Sequence, residues 1–273
     1  MRAVAIIATY NEERFIGGCI EHLNAEGVEV FILENGSTDA TRDICASFLG
    51  AGVCGIEDVA RDGVYSWLPL LERKAALAAE LEADWFLHVD ADEIRLAPPG
   101  WGTLADAFAR VEDDGCNAVN FLEFTFVPTV EEPDHDHACF RRTMRHYYPF
   151  LPRFPDRLNA WKRQSGPVDL CASGGHRVAF EGLRMHATSF AMRHYLFLSR
   201  EHALEKYIRR TYDPAEVAAG WHRARAALRA DDIVLPSAKD LRTVGPDGEL
   251  DPSTPRTSHF LFDASRLPSP ETP

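Results

Sequence analysis

Residues 83–96 read ADWFLHVDADEIRL, and the fold turns on how this stretch is read. From Trp85 to Val89 it is apolar, apart from His88. It then presents three carboxylates, Asp90, Asp92 and Glu93, within four positions. A short apolar run that stops abruptly at polar residues is what a strand covered on both faces of a parallel sheet looks like. His88 inside such a strand reads as a packed core histidine. Like charges held this close repel and raise one another's pKa, so the cluster calls for a positive partner.

The residues upstream repeat the pattern. RAVAIIATY (2–10) is a second apolar run ending in polar residues. Asn11 then offers an N-cap, with Glu12 and Glu13 in the favourable first turn of a helix. Phe15, Ile16, Cys19, Ile20 and Leu23 follow at helical spacing, and Gly27 supplies the stop. VEVFIL (28–33) is the next strand, ENGSTDATRDICASFLG (34–50) a turn entering a helix, and VCGIEDV (53–59) a short third strand. Residues 68–81 read as a further helix leading into WFLHV. Repeated strand–helix–strand units imply a parallel sheet with right-handed crossovers. Ligands in such sheets bind beyond the C-terminal strand ends. TYNEE, ENGSTD and DADE all fall at those ends, so the three clusters are expected to meet in one crevice.

The chain of 273 residues has 45% hydrophobic and 26% charged residues, ordinary for a soluble globular enzyme. Its net charge of −13 lacks the basic character of a nucleic-acid binder. It also disfavours broad docking on anionic membranes, while leaving peripheral contact through a local basic patch open. Cys19, Cys45, Cys54, Cys116, Cys139 and Cys171 show neither C-x-x-C nor zinc spacing, which reads as buried free thiols in a reducing compartment. No window approaches the ~18 apolar residues of a membrane span. The opening apolar run is too short for a secretory signal, so the expectation is a cytoplasmic chain.

Hard divalent cations such as Mn²⁺ and Mg²⁺ are commonly held by one or two carboxylates together with substrate phosphates. Asp90 and Asp92, two apart at a strand end with the small Ala91 between them, suit a metal bridging protein to a diphosphate. The other reading is a capped turn with solvated acids. ATYNEERFIGGCIEHL, VFILENGSTDATRDI and DWFLHVDADEIRL together resemble the three N-terminal motifs of glycosyltransferase family 2, of GT-A fold. Glu34 departs from the aspartate usual at its position. The resemblance implies an α/β fold with a Rossmann-like, mostly parallel sheet flanked by helices, followed by an acceptor-binding and helical region. It implies a nucleotide-sugar-binding half over 1–100 and an acceptor-binding half over 101–195, while capping residues at Ser199 and Asp213 predict C-terminal helices over 196–230 and the Pro-rich composition an extended tail over 231–273.

The same resemblance implies roles. Thr9, Tyr10, Asn11 and Glu12 would line the nucleotide pocket, with Glu34 and Asn35 near base and ribose and Asp39 stabilising the second turn. Asp90 would meet ribose or metal and Ala91 the nucleotide sugar, with Asp92 the principal metal ligand and His186 completing the metal shell. Arg73 and Lys74 would approach the diphosphate. Asp169 is the first choice for the base that activates the acceptor hydroxyl and Glu181 the second. His176, His194 and Trp161 would stand on the acceptor or phosphate side. The implied partners are a nucleoside diphosphate sugar, by default a UDP-sugar, and a saccharide, glycolipid or small-molecule hydroxyl acceptor, with Mn²⁺ or Mg²⁺ as cofactor and inversion at the sugar. A nucleotidyltransferase would share the sheet and metal logic, but TYNEERF is not its Gly-rich, basic loop. A non-catalytic nucleotide-sugar-binding protein would have no need to keep DADE together.

Overall fold

The computed structural model describes residues 1–151 and 156–260. These fall into two units that are discontinuous in sequence. The first comprises Met1–Arg61, Trp67–Glu123 and residues 156–194; the second comprises Asp62–Ser66 and residues 124–151 and 195–260. One of their boundaries falls at 194/195, close to the expected one at 195, and neither unit breaks at 100 or 230.

The first unit holds the parallel sheet. Strand β1 (Ala3–Thr9) pairs in parallel with β2 (Val28–Glu34) on one side and β4 (Trp85–Val89) on the other, and β2 pairs in parallel with β3 (Val53–Asp58). β8 (Leu158–Lys162) continues the sheet antiparallel to β4, and the start of β6 (Ala118–Phe126) lies antiparallel beyond it. Ala3 to Ile7 and Trp85 to Val89 are buried throughout, because helices cover both faces of the sheet. Trp85 stacks on Phe108 of α4 (Leu104–Asp113) at 4.9 Å, while His88 on the opposite face meets α3 (Leu68–Glu80). Thr103 and Asp106 form a reciprocal capping box on α4. Helices α1 (Ile16–Ala25) and α2 (Thr41–Ser47) complete the βαβ units.

Two features differ from the sequence expectation. Asn11 is not an N-cap: α1 begins at Ile16, and Asn11 sits in the left-handed region at φ 56°. The thiols are free but mostly not buried; Cys19 and Cys45 are buried, whereas Cys54 and Cys139 are exposed.

After the DADE turn, β5 (Glu93–Leu96) pairs antiparallel with β9 (Phe190–Tyr195). This register sets Glu93 opposite His194 and Ile94 opposite Arg193.

The second unit is built on its own cluster of Val127, Tyr148, Leu196, Phe197, Ala203, Tyr207 and Ile233. It contains α5 (Phe140–Thr143), β7 (His146–Phe150) and α6 (Arg200–Ala203) running into a π turn at Leu204–Ile208. Ser199 caps α6 by accepting from the His202 amide, and Asp213 caps α7 (Pro214–Ala218) by accepting from Ala215. α8 (Arg223–Ala226) follows. The tail expected from 231 is ordered in part, because β10 (Arg242–Thr243) pairs antiparallel with β7. Residues 261–273 of that tail lie outside the described residues.

Candidate active site

Register brings the polar clusters together. Thr9 is level with Glu34, Glu34 with Asp58, and Ile7 with Val89, so the loops that follow β1, β2 and β4 leave the sheet at one edge. The first two loops are laced to each other. Asn11 Oδ1 accepts from the Thr38 amide at 2.8 Å, and the Asn11 amide donates to Ser37 Oγ at 3.1 Å. The Glu12 amide donates to Thr41 Oγ1 at 2.7 Å, and Glu13 accepts from the Ala40 amide at 3.0 Å. Asp39 accepts from the Thr41 and Glu13 amides. Glu34 turns its carboxylate onto its own loop, taking the Gly36 amide at 2.9 Å and the Ser37 amide at 2.7 Å.

A stacked guanidinium and aromatic ring stand at this edge. The Arg61 guanidinium lies 3.5 Å over the ring of Tyr10 and donates to Asn35 Oδ1 at 3.1 Å, while Asn35 donates to the carbonyl of Val59. Arg61 had no motif to mark it in the sequence. Thr9 is buried with no hydrogen-bond partner for its Oγ1. A buried hydroxyl in that condition at a strand end is a vacancy in the polar accounting that a bound group can fill.

The positive partners of the DADE carboxylates are in the chain itself. Glu93 is paired with the buried Arg95 at 2.5 Å, and its Oε2 also accepts from the Asp90 amide at 3.0 Å. Burial pushes the Glu93 carboxyl up, against the pull of Arg95. Arg95 further donates to the carbonyl of His88 and to Asn159 Oδ1. Asp92 lies 3.4 Å from His194 Nε2, and His194 Nδ1 donates to Glu123 Oε1 at 2.8 Å. Burial alone would lower the His194 pKa; Asp92 and Glu123 outweigh it and lift the ring to about 10. Glu123 in turn accepts from Arg157 Nε and Nη2 at 2.9 and 2.6 Å, and Arg157 also meets His176. No hydrogen bond among the described residues holds the Asp90 carboxylate, which Lys74 attracts through space.

These donors fit a hard divalent cation. Among the described residues no three His, Cys, Asp or Glu side chains form a protein cage for a metal. Two oxygen-donor carboxylates with the remaining positions left to phosphate and water is the arrangement such ions commonly take.

Several expected members are elsewhere. Lys74 is fully buried, donating to His88 Nδ1 at 2.8 Å, so it acts on the site electrostatically and does not reach a diphosphate. Burial lowers it to about 8, with Asp90 and Glu93 opposing. His88 is the packed histidine expected, driven well below the usual imidazole value by burial and then by Lys74. Arg73 is committed to Glu57 and Glu80 on the outside of α3. His186 is not beside Asp92. It contacts Asp114 at 3.1 Å, next to the Ala118–Met185 bridge at the start of β6, the opposite edge of the sheet. Glu181 belongs to the same far edge, since the neighbouring Gly182 carbonyl accepts from Asn117. Asp169 uses Oδ1 to hold a turn, accepting from the Cys171 and Ala172 amides at 2.6 and 3.2 Å. Trp161 is a core residue packed against Phe86, not an exposed platform for a sugar.

The turn after Asp169 does approach the site. Trp67 Nε1 donates to the Gly174 carbonyl at 2.9 Å and Asn159 to that of Gly175 at 2.8 Å. A Cβ on Gly175 would lie 2.9 Å from His88 Nε2. Glycine is needed there for close approach and for its φ of +88°.

Glu123 and Arg157 were missed by sequence reasoning, although Glu123 left a signal. It is a lone acid in NFLEFTF, on the face of the strand opposite the exposed Leu122, where only a paired carboxylate is tolerated.

Residues 4–164, more than half of the chain, match the family described as glycosyl transferase family 2. No curated protein sequence matches. Among solved structures, S. aureus TarS 1–349 in complex with UDP is similar at 14% identity and a TM-score of 0.41, over 72% of this chain and 61% of that one. Glucosyl-3-phosphoglycerate synthase from Mycobacterium tuberculosis, in complex with Mn²⁺, UDP and phosphoglyceric acid, is similar at 21% identity and a TM-score of 0.29, over 45% of this chain and 43% of that one. The chain therefore spans about three fifths of the first of these and less than half of the second.

Proposed function

The chain belongs to glycosyl transferase family 2, and from that premise we propose that it moves a sugar from a nucleoside diphosphate sugar, UDP-linked by default, to an acceptor hydroxyl with inversion. The observation that carries this is the register that ends β1, β2 and β4 at one edge, so that Thr9, Glu34 and the Asp90–Asp92 turn lie together. Tyr10, Arg61 and Asn35 would receive the nucleoside, with the Thr9 hydroxyl gaining the partner it lacks. Asp90 and Asp92 would hold Mn²⁺ or Mg²⁺, which supplies Lewis-acid neutralisation of the departing diphosphate. Arg95 and His194 keep the neighbouring carboxylates from repelling one another, so the turn is poised before any ligand arrives. His176, beside Arg157 on the Gly174–Gly175 turn, would face the acceptor, a saccharide, glycolipid or small-molecule hydroxyl. No helix among the described residues is long and apolar enough to cross a membrane. We take the chain to act in the cytoplasm.

The test is thermal stability with UDP, GDP, CDP and dTDP, each with and without Mn²⁺ or Mg²⁺, for wild type and Asp92→Ala. A ligand at about 100 times its Kd stabilises the folded state by about 2.7 kcal/mol. One nucleotide should raise the wild-type Tm more with metal than without it, and Asp92→Ala should lose that metal-dependent increment. No shift with any nucleotide and either metal would overturn the reading.

A further inference from the structure

Resting on that reading of Asp92, we infer that Glu123 is a positioning residue for the metal-binding turn, acting on Asp92 through His194. The four groups form one buried line: Arg157 donates twice to Glu123, His194 Nδ1 donates to Glu123 at 2.8 Å, and His194 Nε2 faces Asp92 Oδ2 at 3.4 Å. The Glu123 side chain has no exposure at all, and those of Asp92, Arg157 and His194 are close to buried. Carboxylates accept and do not donate, so an imidazole between two of them must present N–H to both. That fixes the ring plane, with Nε2 turned toward Asp92 Oδ2. The β5–β9 register supplies the distance by setting His194 opposite Glu93.

A buried carboxylate is costly unless paired and hydrogen-bonded. Glu123 meets both conditions, and its bonds to Arg157 and His194 lie along this line. An apolar residue between Phe121 and Phe124 would fill the same strand position without needing Arg157. Outer partners that orient a ligand's carboxylate or imidazole typically change metal affinity by about 10–100-fold when removed.

The experiment measures Mn²⁺ affinity by the EPR signal of free Mn²⁺ in the presence of UDP, with UDP binding in the absence of metal as the second readout. The chain is tested as wild type, Glu123→Gln, Glu123→Asp, His194→Asn, the Glu123→Gln/His194→Asn double variant, and Asp92→Asn. Glu123→Gln is expected to weaken Mn²⁺ binding by about 10-fold or more, with metal-free UDP binding unchanged. His194→Asn should weaken Mn²⁺ binding to a similar extent, and the double variant should be no worse than the weaker single one, because both cut one line. Should Glu123→Gln fail to fold, Glu123→Asp keeps the charge against Arg157 and withdraws the acceptor from Nδ1, so the same loss is expected of it.

Wild-type Mn²⁺ affinity in a folded Glu123 variant overturns the inference, as does additivity of the two single changes. In either case an Asp92→Asn variant that still loses Mn²⁺ leaves the reading of the site standing. A wild type that binds no Mn²⁺ with UDP overturns both.

Discussion

Lys74 is a cation without any exposure, donating to a neutral His88 and, at 3.5 Å, to the carbonyl of Val89. Burial is the main cause of its descent to about 8 from an ordinary 10.5. Below pH 8 both folded and unfolded chains carry the proton, and the folded state bears the full desolvation cost. Between pH 8 and 10.5 the unfolded chain binds more protons than the folded one, so stability rises with pH across that window. The shift corresponds to about 3 kcal/mol. Lys74→Met is therefore expected to be no less stable than wild type at pH 7, and its advantage should shrink by about 3 kcal/mol by pH 10.5. Urea unfolding of both proteins at half-unit pH steps measures the difference, in which other titrating groups cancel; a difference constant with pH sinks the assignment. The sequence gives Arg73 and Lys74 as an equivalent basic pair. Helical phase separates them by about 100°, sending one to Glu57 and Glu80 outside and the other beneath the strand end. Which of two adjacent residues faces inward depends on where the helix starts, and that is set by packing.

Between elements, the loop after β1 and the loop after β2 behave as one piece, and Asn11 is the rivet. The residue preference that recommends Asn as an N-cap also makes it one of the few non-glycine residues tolerant of the left-handed region. Sequence alone cannot choose between the two uses, which is why the helix start was misplaced from Asn11 while the strands on either side were legible from their unbroken apolar runs. The same limit applies to the histidines. His176, His186 and His194 lie within 19 positions, and only the pairing of β9 with β5 singles out the one beside Asp92. The two functions of Asn11 can be separated by substitution. Asn11→Gly keeps the backbone conformation and removes the bonds to Thr38, whereas Asn11→Ala loses both. The alanine variant is expected to be the less stable of the two by about 1 kcal/mol, the cost of placing a Cβ in the left-handed region. Both should bind UDP more weakly than wild type, since neither holds the Ser37–Thr38 loop. Equal Tm values for the two variants would remove the conformational part of this account. Unchanged UDP affinity would remove the lacing part.

Across the whole chain, the three motifs of the first hundred residues suggest a nucleotide-binding half that ends near residue 100. The hydrogen bonding does not respect that line. β4 has β1 on one side, but its other edge is completed by β8, with Trp85 opposite Lys162 and Leu87 opposite Ala160. β5 has no neighbour in the first hundred residues and pairs with β9. Arg95, almost wholly buried, would lose Asn159, and Asp92 would lose His194. A fragment of residues 1–100 would thus expose one edge of its central sheet and leave a cluster of carboxylates with one of its two close cations removed. Unpaired strand edges and uncompensated buried charge are each costly, and a chain of this length has little surplus stability with which to offset them. The fragment is expected to show no cooperative urea transition and no dispersed amide spectrum. A fragment carried through residue 195 regains β8, β9, Asn159, Glu123 and His194, and is the shortest N-terminal piece expected to recover a transition. A cooperative transition in the 1–100 fragment, with a native-like spectrum, would show that the βαβ units suffice by themselves. The residues added by β8 and β9 would then serve the site and not the stability of the sheet.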